Sequence, residues 1–186
     1  ASKPPISRLS GIDVAGGDET YAWPLAVDPG NTLVHTACEL GILLGPPIID
    51  GNRVTNLENG VEIFPAMLDA VKAARHNINF ETYIYWSGDI GRAFAEALAE
   101  RARTGVEVQV LIDWVGSQKM EQALLDLMVE AGVHVERYHP LHWYHLARMN
   151  NRTHRKLLIV DGEVGFTGGV GIADNWDGNA TAPDHW

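Results

Sequence analysis

Cysteine is almost missing from this chain. In 186 residues only Cys38 occurs, so no internal disulfide can form and the redox compartment is not legible. Basic residues are also few: 14 Lys and Arg stand against 24 Asp and Glu, a formal net charge of −10. That balance disfavours a broad nucleic-acid-binding face and electrostatic capture by anionic lipid, although a local basic pocket is compatible with it. Long apolar runs are missing too. A membrane span needs about 20 apolar residues; the best stretch here, Leu40 to Ile49, is short and broken by Gly45-Pro46-Pro47. No secretory pattern opens the chain, and it starts at Ala1 rather than Met, in keeping with processing or truncation at that end. No low-complexity segment or internal repeat occurs.

What is there suits a globular domain with a real core: 46% hydrophobic and 20% charged residues. Residues 1–57 carry much Pro and Gly and little periodicity, which predicts an irregular N-terminal arm. Residues 58–186 alternate between helix and strand patterns. Phe64, Met67, Leu68 and Val71 recur at helical spacing, with Pro65 expected in the first turn. Ile78 to Tyr85 alternates: Ile78, Phe80, Thr82 and Ile84 point one way, Asn79, Glu81, Tyr83 and Tyr85 the other. Ile90, Phe94, Ala97 and Leu98 mark a second helix closed by Gly105, and Val106 to Asp113 a second strand. Met120, Leu124, Leu127, Met128 and Ala131 mark a third helix closed by Gly132, and Val133 to Tyr138 a third strand. After an aromatic loop, His139 to Arg152, two more strands follow, Lys156 to Val160 and Val164 to Thr167, joined at Asp161-Gly162. This order predicts an α/β fold with a mixed, largely parallel sheet flanked by helices.

The stretch from Asn151 to Gly169 carries the chemistry. It reads H-x-K-x4-D-x6-G-G, with His154, Lys156, Asp161, Gly168 and Gly169. Metal-free cleavage of a phosphodiester needs a nucleophile, cations around the phosphoryl oxygens and an acid for the leaving oxygen. Two residues apart on a strand, His154 and Lys156 leave the same face. The imidazole can attack phosphorus, and Lys156 can neutralise the non-bridging oxygens. Asp161, of opposite parity, is better placed to brace the turn or a neighbouring group than to touch substrate. Gly168 and Gly169 offer backbone amides to a phosphate pocket.

This motif resembles that of the phospholipase D superfamily. From about Asn52 to Trp186 the chain is similar to the first half of bacterial cardiolipin synthases and related proteins. Phe80-Glu81-Thr82-Tyr83-Ile84-Tyr85, Ala99 to Val106 and Asn151 to Asp174 carry that likeness. The resemblance implies one half of a two-lobed α/β sandwich and ping-pong phosphatidyl transfer without metal or cofactor. It implies His154 as nucleophile, Lys156 as phosphate ligand, Asp161 completing the motif, and a phospholipid substrate. Two departures stand out. Gly171 occupies a position where the family often has Asn, and the second copy of the motif, which supplies the acid, is missing. By the resemblance, 58–186 is therefore expected to be a catalytic half-domain truncated at its C-terminus and inactive alone. Its missing partner is a second motif-bearing half or a dimer mate. The alternatives are a single-motif homodimeric phosphodiesterase or nuclease, and an inert half-domain. A cytoplasmic or peripheral inner-membrane location, at a membrane surface, would follow from the same likeness.

Glu81 and Asp113 are further candidates for substrate binding. A charged residue among apolar strand neighbours is usually partnered or at a site, and Asp113 ends a strand at the edge where open α/β sheets place ligands. For Glu81 the competing roles are support of the site from behind the reacting residues and a plain structural ion pair; for Asp113 the competing role is a turn carboxylate. His139, His142 and His145 lack a Cys or acidic set to complete a zinc site, so no metal is expected. Trp86, Trp114 and Trp143 suit an acyl-chain rim and ordinary packing equally well.

Overall fold

The computed structural model describes residues 13–14, 52–138 and 152–181. The chain divides into two compact units, Ala1–Leu57 and Glu58–Trp186. In the first, β1 (Asp13–Val14) pairs in parallel with β2 (Arg53–Val54). The expectations for Cys38, for the His139–His142–His145 loop and for Trp143 lie outside the described residues.

The second unit is built around a five-stranded mixed sheet. Its elements are α1 (Asn59–Ala73), β3 (Asn77–Thr82), α2 (Asp89–Arg103), β4 (Glu107–Asp113), α3 (Gln122–Glu130), β5 (His134–Tyr138), β6 (Leu157–Val160) and β7 (Val164–Thr167). A 3-10 turn, Asp174–Trp176, follows. The strand order is β5-β4-β3-β6-β7. β3, β4 and β5 are parallel, as crossover helices require. β6 runs antiparallel to both β3 and β7. The mixed sheet with helices matches the expected fold class.

Alternation decides which face is buried. Ile78, Phe80, Val108, Val110, Ile112, Leu158 and Val160 form one core with Phe64, Val71, Phe94, Leu98 and Met128 of the helices. The other parity is polar on the central strands: Asn77, Asn79 and Glu81 on β3, Glu107 and Gln109 on β4. Gly105 (φ +91°) and Gly132 (φ +95°) end α2 and α3 with the positive φ that only glycine adopts at no steric cost. No helix among the described residues is long and apolar enough to cross a membrane.

Two local expectations are corrected. Pro65 sits in the second turn of α1, because the helix begins at Asn59. β3 stops at Thr82, whose hydroxyl donates to the Ile84 carbonyl at 3.0 Å. The chain bends there, so Tyr85 does not continue the polar parity: it is fully buried and donates to the Gly91 carbonyl at 2.8 Å. Burial pushes its hydroxyl pKa far above the ordinary range.

The C-terminal segment ties these elements together. Tyr85 and Ile172 form a parallel bridge. Ile172 N–H donates to the Ile84 carbonyl, and Trp86 N–H to the Ile172 carbonyl, both at 2.9 Å. Gly171 is required by this approach: a Cβ there would stand 2.7 Å from Ile84 Cβ and 3.0 Å from the Trp176 ring. A larger side chain at this position has no room unless Ile84 or Trp176 shifts. Gly88, which precedes α2, offers no side chain to cap it. Asp174 caps it from a distance instead, accepting from Asp89 N–H at 3.1 Å and Ile90 N–H at 2.9 Å.

Candidate active site

Three chain segments converge at one edge of the sheet. The C-terminal ends of parallel β3 and β4 carry Glu81, Tyr83 and Asp113 there. Because β6 is antiparallel to β3, its start lies at the same edge, with Leu157 opposite Glu81. Thr167, the last residue of β7, pairs with Leu157, so Gly168 and Gly169 emerge beside it. Both glycines are exposed, and a Cβ on either would meet nothing within 4 Å. Close packing therefore does not require glycine at either place.

His154 and Lys156 lie just before β6, not within it. The pairing stops because β3 bends away after Thr82. The two side chains still meet: Lys156 Nζ is 3.0 Å from His154 Nε2 and 3.0 Å from the His154 carbonyl. An ammonium group only donates, so Nε2 is the unprotonated nitrogen while Lys156 is charged. His154 is exposed, and the Tyr83 ring lies beside it at 5.1 Å between centroids. Lys156 Nζ lies 5.5 Å from the centre of the same ring. No carboxylate among the described residues pairs with Lys156. Partial burial lowers the Lys156 pKa from its ordinary value.

Asp161 stands at the opposite end of β6, about 16 Å from Lys156 for five extended residues. Asp161 and Gly162 turn the chain with positive φ, 55° and 69°. The Asp161 carboxylate accepts from three backbone amides of the α1–β3 junction: Arg75 at 2.9 Å, His76 at 2.8 Å and Asn77 at 2.9 Å. The Asn77 and Arg75 amides lead in holding its pKa below the usual carboxylate value.

Glu81 and Asp113 both turn toward the segment before His154. Glu81 Oε1 accepts from the Thr153 hydroxyl, and its Oε2 is 3.9 Å from Arg155. Asp113 is fully buried; it accepts from Val115 N–H at 2.9 Å and Thr153 N–H at 3.3 Å, and faces Arg152 at 3.8 Å. Sequence reasoning passed over Tyr83, Arg152 and Thr153. Tyr83 was within reach of parity, because it lies two residues beyond Glu81 on the same face. Thr153 carried no signal apart from its place next to His154. Trp86 is taken up in packing: its indole donates to the Gly116 carbonyl at 2.9 Å, and Lys119 sits 3.9 Å over its ring. Among the described residues no group of three His, Cys, Asp or Glu side chains could hold a metal ion.

A family model described as "Cardiolipin synthase, PLD-like domain" matches residues 67–185, which include every residue of this edge. The chain belongs to that family. Cardiolipin synthase 1 of Bacillus anthracis is 38% identical over 144 residues, covering 76% of this chain and 28% of the relative. The cardiolipin synthase of Geobacillus thermodenitrificans is 36% identical over 147 residues, covering 78% and 29%. The chain thus spans less than a third of the curated relatives it matches. Among solved structures, the phospholipase D family member Nuc of Salmonella typhimurium superposes with a TM-score of 0.51 at 19% identity. That likeness covers 62% of this chain and 68% of Nuc, and it supports the fold.

Proposed function

We propose that residues 58–186 supply one catalytic half of a phosphatidyl-transferring or phosphodiester-cleaving site. The observation that carries this reading is the His154–Lys156 pair. An exposed imidazole nitrogen holds its lone pair toward an ammonium group that has no carboxylate partner among the described residues. The family membership supports a phospholipid diester as donor.

A phosphate oxygen entering beside Lys156 draws the ammonium proton away from Nε2 and frees the lone pair. Nε2 then attacks phosphorus, the bond to the leaving alcohol oxygen breaks, and that oxygen takes a proton from an acid. The phosphatidyl group rests on His154 until the oxygen of water or of a second alcohol displaces it. The Gly168 and Gly169 amides lie at the same edge to receive phosphoryl oxygens. The acid comes from a second motif-bearing half, in a further segment or a second copy. Asp161 serves from a distance, by fixing the far end of β6.

The test supplies that second half and follows glycerol release from phosphatidylglycerol. His154→Asn is expected to lower turnover by roughly 10³-fold or more and to remove an acid-labile phosphoryl adduct from this chain. Turnover at the unsubstituted rate in His154→Asn would refute the nucleophile assignment.

A further inference from the structure

We infer that Glu81 and Asp113 are positioning residues for His154, acting through Thr153 and its arginine neighbours rather than on substrate. The inference rests on the phosphoryl-transfer reading for its purpose, but its geometry is independent of it.

Strand pairing on β6 ends at Leu157, so residues 152–156 enter the site without a ladder partner. Two carboxylates take over where the ladder stops. They come from neighbouring strands, Glu81 from β3 and Asp113 from β4, at the same edge. Thr153 fits between them: its N–H reaches Asp113 and its hydroxyl reaches Glu81. Backbone and side chain are thus both fixed one residue before His154. Arg155, one residue after, faces the other oxygen of Glu81.

The anchors are themselves anchored. Asp113 accepts two amides of its own turn, Val115 and Gly116. Gly116 permits that turn to close, because a Cβ there would stand 1.8 Å from the Tyr83 carbonyl. Each of the four carboxylate oxygens has a donor or a cation of this chain against it. Two free carboxylates would repel a phosphodiester. Occupied in this way, they face the chain and not an anionic substrate. A nucleophile on an unpaired segment gains most from such anchors, since small misplacements of reacting groups are costly.

Thr153 offers the test, because it is only partly buried and replaceable by residues of near-identical size. Thr153→Val removes the hydroxyl and keeps the shape; Thr153→Ser keeps the hydroxyl. The readouts on the 186-residue chain are the His154 ring signals by nitrogen-15 NMR without ligand, and binding of inorganic phosphate at Lys156. Thr153→Val is expected to broaden the ring signals and weaken phosphate roughly tenfold, with Thr153→Ser close to the unsubstituted chain in both. Unchanged ring signals in Thr153→Val, or equal losses in Thr153→Ser, would overturn the inference. Failure of the unsubstituted chain to bind phosphate would count instead against the phosphoryl-transfer reading, and the ligand-free ring signals would still decide the anchoring.

Discussion

At the scale of single residues, Lys156 makes a pH prediction. Its folded-state pKa is lowered by burial, so the folded chain releases that proton before the unfolded chain does. Stability from this group therefore rises with pH between the lowered value and the ordinary lysine value of about 10.4. Affinity for inorganic phosphate runs the other way, falling as the ammonium deprotonates. A phosphate titration should show the decline beginning below the pH at which an ordinary lysine titrates; a decline centred on the ordinary value would contradict this. Gly171 makes a second prediction. Gly171→Asn drives a Cβ into Ile84. It should cost about 1–3 kcal/mol in thermal unfolding, as overpacking does; an unchanged melting temperature would show that the contact yields.

At the scale of elements, α2 depends on a cap that is remote in sequence. Asp174→Ala leaves the Asp89 and Ile90 amides without their carboxylate. The expected loss is about 1 kcal/mol, with faster amide exchange confined to the first turn of α2. Uniform loss of protection would argue for a wider role. This scale also shows what the sequence made legible. The helical stripe of Phe94, Ala97 and Leu98 and the alternation of Ile78, Phe80 and Thr82 are local periodicities, so burial follows from them directly. The motif was equally legible, because its residue types and spacing are local. The end of β3 was not: Tyr83 and Tyr85 continue a perfect alternation, whereas the chain bends after Thr82 and Tyr85 bridges to Ile172, 87 residues away. For the same reason His154 and Lys156 read as strand residues although they precede one. Thr153 looked inert because its partners, Glu81 and Asp113, lie 72 and 40 residues away.

At the scale of the whole unit, Asp161 joins the β6–β7 turn to the α1–β3 junction. Its folded pKa is depressed, so the stability it confers is present above the ordinary carboxylate pKa of about 3.9 and is lost as pH falls through the lower folded value. Asp161→Asn leaves one oxygen and one NH2 group where two oxygens accept from three backbone amides, so an NH2 group then faces a backbone N–H donor. It should lower the melting temperature at neutral pH and flatten the acid limb of the stability curve. Retention of the full acid limb in Asp161→Asn would assign that limb to other groups.

The three-amide clip at Asp161 also bears on how the unit is made. Arg75 and Asp161 are 86 residues apart, and Asp89 and Asp174 are 85. A ribosome delivers α1, β3 and α2 long before it delivers the carboxylates that hold the α1–β3 junction and the start of α2. Loops of this span close late. The parallel β3–β4–β5 layer is thus expected to remain protease-sensitive at residues 74–77 on a nascent chain, until the β6–β7 hairpin and the segment behind it have emerged. His154 and Lys156 lie immediately before that hairpin, so the edge that holds them and the brace that completes the fold emerge together.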